Sequence, residues 1–406
     1  MELNTHTLNN GIRIIHYQVP SRIAHCGLLI NTGSRDENAS EHGMAHFIEH
    51  LIFKGTKKRK AHHIINRLET RGGEINAYTG KEETCIYSAF LKDDFERSLE
   101  LICDMAFHSI FPEKELVREK EIIIDEILSY RDTPSEQIFD DFEELVFKGN
   151  SIGRNILGTP VNLKRFTRED ILKFMVNHYQ TDRMVFSSVG DIDFCKVLKF
   201  ADRYLECIPR NKAPLTRKAV SGYMPVSKAV KKKTHQTHCI IGNLAFDYHD
   251  KRRIPMVLLN NILGGPGMNS RLNLSLREKS GYAYNVESHY TAYSNTGILL
   301  VYFGTDRERL SKCRHLAHRE FGRLRNNPLT PIQLKRAKRQ LIGQITIGWE
   351  NMENLMLSIG KSYMRFNRVD TMEEIYRKIE LTTSEELMEA ANIVLDPDSL
   401  SELVYN

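Results

Sequence analysis

Two stretches of this sequence follow one pattern, and the repeat constrains the fold more than any other feature of the chain. Residues 167–171 (Thr-Arg-Glu-Asp-Ile) match residues 383–387 (Thr-Ser-Glu-Glu-Leu). At the same offset, a strand predicted at 184–189 falls on a strand predicted at 400–405. The first stretch opens with a threonine followed by acidic residues, which is typical of a helix N-terminus. The chain is therefore predicted to consist of two copies of one α+β unit.

A change of composition between the two copies predicts a linker. Residues 208–233 contain three prolines and end in three consecutive lysines, as is typical of a segment between domains. The predicted organisation is an N-terminal repeat at 1–207, this linker, and a C-terminal repeat at 234–406. A length of 406 residues is enough for two or three domains with their own cores.

The N-terminal repeat contains an element that the C-terminal repeat lacks. Residues 43–51 (Gly-Met-Ala-His-Phe-Ile-Glu-His-Leu) predict a helix, because apolar residues recur at helical spacing and Gly55 follows. On this helix His46 and His50 lie one turn apart on one face, and Glu49 borders that face. The spacing H-x-x-E-H is a zinc peptidase signature. The alternative is a polar helix end with solvated histidines.

A catalytic zinc site needs three protein ligands and an open fourth position, so a third ligand must come from elsewhere in the chain. A long helix is predicted at about 113–130, and Glu119 and Glu126 share one of its faces, two turns apart. Ile123 and Ile127 lie close to that face, so Glu126 is expected to be partly shielded from water. Three neighbouring histidines are alternative ligands on the first two predicted helices: His42, His62 and His63.

Composition argues against several classes of function. The net charge of +5 is mild, and no long basic stretch is interleaved with aromatic residues, so nucleic-acid binding is unsupported. Seven scattered cysteines without a C-x-x-C pair are typical of free thiols in a reducing compartment. The first residues lack the features of a signal peptide, and no apolar run reaches membrane length. We expect a cytoplasmic protein with no membrane partner.

Several separated motifs, in the right order, resemble the M16 peptidases, the insulinase and mitochondrial-processing-peptidase group. They lie at residues 43–56, 73–79 and 276–284, and Glu126 follows the first motif at the family's distance. The resemblance covers nearly the full chain, with small departures at Gly80 and Tyr282. It implies a LuxS/MPP-like metallohydrolase fold of the α+β class. In that fold two homologous repeats, each a mostly antiparallel sheet flanked by helices, form one half of a clamshell.

The resemblance implies a metal centre in the N-terminal repeat. His46, His50 and Glu126 correspond to the ligands of one Zn²⁺ ion per chain. Glu49 corresponds to the general base that takes a proton from the attacking water. Glu119 corresponds to an acid that orients a ligand histidine.

The resemblance also implies residues that contact a peptide substrate. Asn76 and Ala77 match an edge strand that pairs with the substrate backbone. Arg277 and Tyr284, in the inactive-type C-terminal repeat, match an Arg/Tyr pair that contacts the scissile carbonyl region. An acidic stretch at 140–144 is predicted to be a solvated helix face, and the alternative is a pocket for basic substrate residues.

These assignments predict a zinc metalloendopeptidase that hydrolyses peptides or unfolded segments, bound as an extended strand inside a closed chamber. The metal centre and the Arg/Tyr pair lie on one chain but on different repeats. In the family that this chain resembles, two chains pair around such a chamber, so the resemblance implies a homodimer in which Arg277 and Tyr284 act in trans. The alternative is a non-catalytic M16-like peptide-binding or regulatory subunit.

Overall fold

A computed structural model describes residues 3–406, which form two compact units. Unit 1 comprises the described residues up to 128, together with 154–216 and 347–371. Unit 2 comprises residues 129–153, 217–346 and 372–406. Each unit therefore draws on both halves of the sequence. The boundaries predicted at 207 and 234 stay a prediction, and residues 1 and 2 lie outside the described part of the chain.

The elements follow the predicted succession of strands and helices closely. The strands are β1 (Leu3–Thr7), β2 (Arg13–Gln18), β3 (Ile23–Ile30), β4 (Glu74–Thr79), β5 (Thr84–Leu91), β6 (Met184–Gly190), β7 (Ser227–Val230), β8 (Thr237–Ala245), β9 (Ala283–Ala292), β10 (Gly297–Thr305) and β11 (Ser401–Tyr405). The helices are α1 (Met44–Leu51), α2 (Ala61–Glu69), α3 (Phe95–His108), α4 (Glu113–Arg131), α5 (Pro134–Val146), α6 (Pro160–Arg165), α7 (Arg168–His178), α8 (Phe194–Tyr204), α9 (Arg253–Gly264), α10 (Leu310–Asn326), α11 (Pro331–Trp349), α12 (Met352–Phe366), α13 (Met372–Leu381) and α14 (Ser384–Val394).

Unit 1 is built on a six-stranded sheet with the order β1-β2-β6-β3-β5-β4. The β2–β6 pair is parallel and the other pairs are antiparallel. Alternate residues of each strand face opposite sides of the sheet. Leu28 packs into the core under α1 and α3, whereas Leu29 packs against α12 on the other side. The strand β4 lies at one edge of the sheet and packs beside α1.

Helix α12 comes from the second half of the sequence but covers the sheet of unit 1. Its Gly360 permits a close approach, since a Cβ atom there would lie 2.9 Å from Cβ of Ser187. The Ser187 hydroxyl donates a hydrogen bond to the Met356 carbonyl at 2.8 Å. In unit 2, helix α5 from the first half of the sequence packs on β8 and β11.

Unit 2 repeats the topology of unit 1. Its five-stranded sheet has the order β7-β11-β8-β10-β9, which matches β2-β6-β3-β5-β4 strand by strand, including the one parallel pair. Thr167 and Thr383 cap α7 and α14 in the same way, each accepting the N–H of the third helical residue. The predicted α+β class with two homologous repeats is confirmed.

The structure also differs from the sequence predictions in detail. The predicted linker contains β7, which pairs in parallel with β11. The segment before β9, whose helical spacing predicts a helix at 269–279, contains a π-helical stretch, Asn273–Glu278. The acidic stretch at 140–144 is partly used in packing, because Tyr405 donates to Asp141 and Tyr293 donates to Glu143.

Two predictions about composition can also be compared with the structure. All seven cysteines lie among the described residues and are free thiols, five of them buried. In residues 3–406, none of the helices has the length and apolar character that a membrane span requires.

Candidate metal centre

Helix α1 begins at a tightly constrained turn. Gly43, which precedes it, has a φ of 98°, a conformation that favours glycine. The carboxylate of Glu37 accepts the backbone N–H groups of Gly43 and Ala45, each at 2.8 Å. It thereby satisfies two N–H groups that have no partner inside the helix. Burial raises the pKa of Glu37 to about 8, although the two N–H donors favour its charged form.

Three side chains from α1 and α4 meet at one point. Nε2 of His46 lies 4.0 Å from one oxygen of Glu126, and Nε2 of His50 lies 3.7 Å from the other. The centroids of the two imidazole rings are 4.7 Å apart. One ligand atom from each residue can be chosen so that all three lie within 4.8 Å of one another. The helical spacing of His46 and His50 thus places both rings on one face of α1, and Glu126 of α4 lies opposite them.

The chemistry of these three groups fits a zinc ion. Two imidazole nitrogens and one carboxylate are a known donor set of catalytic zinc sites. Burial and the neighbouring His50 lower the pKa of His46 to about 3, so its ring is neutral and can offer a lone pair. The side chain of Glu126 is 41% exposed, which leaves the cluster open to solvent on one side. An open side is what a substrate or a water molecule needs to reach the ion.

A buried acid supports His50 from behind. An oxygen of Glu119 lies 3.2 Å from Nδ1 of His50, on the ring edge away from Glu126. The Glu119 side chain is only 1% exposed. Its second oxygen lies 2.8 Å from Nζ of Lys54. The carboxylate is therefore held between a ring nitrogen and an ammonium group.

Glu49 lies beside the cluster, half-buried on α1. Burial raises the pKa of its carboxylate, the neighbouring Thr79 and His50 lower it, and Glu126 raises it further. A raised pKa makes a carboxylate a stronger base toward the proton of a water molecule. Thr79 is the last residue of β4, so the edge strand ends next to this group.

Two family models match consecutive parts of this chain. The family model described as "Insulinase (Peptidase family M16)" matches residues 13–160, and the model described as "Peptidase M16 inactive domain" matches residues 165–341. A Bacillus subtilis protein named as the uncharacterized zinc protease YmxG is 30% identical over 403 residues, covering 99% of this chain and 98% of its own. This chain belongs to peptidase family M16. The beta subunit of the mitochondrial-processing peptidase of Saccharomyces cerevisiae is 27% identical, over 98% of this chain and 89% of its own.

Solved structures share the fold of this M16 chain. A protease from Helicobacter pylori superposes with a TM-score of 0.91 at 20% identity, covering 100% of this chain and 99% of its own. A structure from Pseudomonas fluorescens, described as a peptidase M16 inactive domain, has a TM-score of 0.92 at 20% identity. The match covers 100% of this chain and 98% of the other.

The other histidines of the M16 motif region lie outside the cluster. His42 forms a hydrogen bond through Nε2 with the Asn155 carbonyl at 2.7 Å. His62 and His63 are exposed on α2 and pack on each other, with ring centroids 3.8 Å apart. Within the described residues, the cluster that could hold a metal is the predicted one.

The remaining predicted residues lie on edge strands or beside them. Asn76 is exposed on β4 and pairs across the sheet with Tyr87, while Ala77 is half-buried. In unit 2, Tyr284 lies on the edge strand β9, 57% exposed, and donates to Asp306 at 3.0 Å. Arg277 is the next-to-last residue of the π-helical stretch that precedes β9. Because β4 and β9 hold equivalent positions in the two sheets, both predicted substrate-contacting sets lie at or next to an edge.

Sequence reasoning missed three residues around the cluster. Glu37 lies in the polar segment at 31–41, whose composition predicts a loop, and nothing in its spacing links it to α1. Thr79 falls in the motif at 73–79, but no spacing in the sequence links it to Glu49. Lys54 follows His50 by one helical turn, and that spacing is the signal that could have placed it near the same face.

Proposed function

We propose that this M16 protein is a zinc-dependent metalloendopeptidase that hydrolyses peptides or unfolded segments bound as an extended strand. The observation that carries the proposal is the convergence of His46, His50 and Glu126 in unit 1. Glu49 lies beside this cluster, and its pKa is raised by burial. Relatives named as zinc proteases support peptidase chemistry in general.

In this proposal His46, His50 and Glu126 hold the zinc ion. When bound, the ion polarises the peptide carbonyl and makes a water molecule more acidic. Glu49 takes the proton of the attacking water and passes it to the leaving amine, a role that typically contributes about 10²–10⁴-fold in rate. Glu119 keeps the ring of His50 in one orientation through Nδ1.

The edge strand β4 would bind the substrate backbone. It pairs with β5 on one side, and its other side carries no further strand among the described residues. An extended peptide can add to such an edge through main-chain hydrogen bonds, with Asn76 and Ala77 opposite it. Folded proteins cannot present an extended strand in this way. The arrangement therefore favours short peptides or unfolded segments as substrates.

The proposal also includes a homodimer in which Arg277 and Tyr284 act on the centre of the second copy, inside a closed chamber. Both are polar and at least partly exposed, as groups that contact a substrate must be. A guanidinium and a phenol O–H are suitable donors to the oxyanion that develops on the scissile carbonyl. Removal of one such donor typically costs about 10²–10³-fold in rate.

A peptide-cleavage assay tests the proposal. A proteome-derived peptide library would be digested and the products mapped by mass spectrometry, with and without a zinc chelator. We expect cleavage that chelator abolishes and that Glu49→Gln lowers by at least about 10²-fold. Glu121→Gln is the matched control, because Glu121 is an exposed acid on the helix that carries Glu126.

Three outcomes would separate the alternatives. Unchanged function of Glu49→Gln would favour a peptide-binding protein over a peptidase. A parent protein without zinc and without cleavage would favour a non-catalytic subunit. Equal losses in Glu49→Gln and Glu121→Gln would indicate that the assay reports general damage to α1 and α4.

A further inference from the structure

We propose that Lys54 is a positioning residue for the metal centre, acting through Glu119 on the ring of His50. This inference rests on the proposed zinc peptidase function. It concerns a side chain that, among the described residues, forms no hydrogen bond or ion pair with the three metal-binding groups but pairs with the acid that supports one of them.

The observation is the way in which the two oxygens of Glu119 are used. Oε2 lies 3.2 Å from Nδ1 of His50, and Oε1 lies 2.8 Å from Nζ of Lys54. Each oxygen thus has one partner. Among the described residues Oε1 accepts no hydrogen bond, so the ion pair with the Lys54 ammonium group is its one polar interaction.

Burial makes this ion pair important. The Glu119 side chain is 1% exposed, whereas that of Lys54 is 28% exposed. A buried carboxylate that loses its only cation is left largely uncompensated, and breaking such a pair is strongly unfavourable. The side chain would then relieve the cost by turning Oε1 toward another donor. Such a rotation also moves Oε2 away from His50.

The backbone fixes Lys54 in place. Its N–H donates to the Leu51 carbonyl at 3.0 Å, in the turn that ends α1. The next residue, Gly55, forms a β-bridge with Lys60, and its carbonyl accepts the N–H of Ile110 at 3.1 Å. Backbone hydrogen bonds on both sides of Lys54 therefore hold it next to α4. Its ammonium group is thus held beside Glu119.

The consequence reaches the metal centre through one ring. His50 is 25% exposed, and the carboxylate of Glu119 is the hydrogen-bond partner of its Nδ1. When Nδ1–H donates a hydrogen bond to a fixed acceptor, Nε2 carries no proton and its lone pair can bind a metal. Nε2 is also the nitrogen that faces Glu126. Lys54 thereby selects both the orientation and the tautomer that zinc requires. Outer partners of this kind typically contribute about 10–100-fold to metal affinity.

The test is zinc affinity, measured by competition with a chromophoric chelator. Lys54→Met should weaken zinc binding by about 10–100-fold. Lys54→Arg keeps the charge and should restore affinity to within about threefold of the parent. Lys361→Met is the matched control, because Lys361 forms a 2.7 Å ion pair with buried Glu83 and is 31% exposed. Its zinc affinity should equal that of the parent.

A double variant asks whether Lys54 acts through Glu119. Glu119→Gln should weaken zinc binding, and adding Lys54→Met to it should have little further effect. Fully multiplicative losses would overturn the inference. Equal zinc affinity of the parent and of Lys54→Met would also overturn the inference, although the proposed function would stand. A parent that binds no zinc overturns both.

Urea unfolding of the metal-free variants separates positioning from general damage. Lys54→Met and Lys361→Met each remove a lysine from a buried glutamate, so both should lose stability without metal, Lys361→Met by less because Arg365 still pairs with Glu83. Only Lys54→Met should also lose zinc affinity. Loss of zinc affinity in both variants, in step with their loss of stability, would show that Lys54 has only a structural role.

Discussion

Gly43 and Gly158 lie backbone against backbone where the helix that carries His46 and His50 begins. A Cβ atom at Gly43 would lie 2.8 Å from Cα of Gly158, and one at Gly158 would lie 2.6 Å from Cα of Gly43. Both residues have positive φ, 98° and 78°. Two restrictions, conformation and space, therefore act on the same pair. This contact sets the position of the first turn of α1.

Replacing either glycine should displace that turn. Gly43→Ala should destabilise the protein by about 1–2 kcal/mol from backbone conformation, with about 1–3 kcal/mol more from the contact. Gly72→Ala is the control, since Gly72 has a φ of 77° but nothing within 4 Å of a built Cβ. Urea unfolding curves give the comparison. Equal losses in Gly43→Ala and Gly72→Ala would show that the close approach contributes nothing.

Stability in acid should depend on Glu83, in the turn between β4 and β5. Burial raises the pKa of this carboxylate, but Arg365 and Lys361, each at 2.7 Å, outweigh burial and bring it below its ordinary value. Its stabilising effect is therefore present above the unfolded pKa of about 4.3 and is lost as the pH falls through the lower folded value.

The variant Glu83→Gln checks this dependence. At pH 7 it should be less stable than the parent by about 1–3 kcal/mol, and the difference should shrink below about pH 4. Chemical denaturation at several pH values measures both. Asp191→Asn is the comparison, because Asp191 pairs with Lys92 on the surface and its replacement should change little. A difference that stays constant down to pH 3 would contradict the prediction.

Removing zinc should lower the unfolding temperature. An ion that binds only the folded state stabilises it by about 4 kcal/mol at a thousandfold excess over its Kd. The parent should therefore unfold several degrees lower after chelation, and added zinc should reverse the change. Glu126→Ala should abolish this shift, whereas His62→Ala, which changes an exposed histidine outside the cluster, should keep it. A zinc-dependent shift that survives in Glu126→Ala would place the ion elsewhere.

The sequence was sufficient to predict what depends on regular spacing. His46 and His50 share a face because α1 is a helix, and the presence of two similar α+β units followed from the repeat that pairs Thr167 with Thr383. The convergence with Glu126 came from resemblance to a family. Spacing within α4 showed only that Glu126 and Glu119 share a face, and not where that face lies.

What the sequence could not predict depends on contacts between distant segments. The pairing of Glu37 with the N–H groups of α1 depends on the path of a loop, and loop paths leave no periodic signal. The placement of α12 on the sheet of unit 1 was also missed, although Gly360 permits it. Continuous halves were the natural prediction from a linear repeat. An exchange of helices changes no local pattern, so only the folded chain reveals it.

Mixing two inactive chains tests whether the second copy completes the site. His50→Ala removes a metal-binding group of unit 1, and Arg277→Ala removes a guanidinium of unit 2. If Arg277 acts in trans, a mixed dimer has one complete site, formed by the centre of the Arg277→Ala chain and the arginine of its partner. Random pairing makes about half of the dimers mixed, so activity should return to about a quarter of the parent's. The control mixes His50→Ala with Glu49→Gln, which damage the same centre and should not complement each other. If neither mixture regains activity, Arg277 does not act across a dimer.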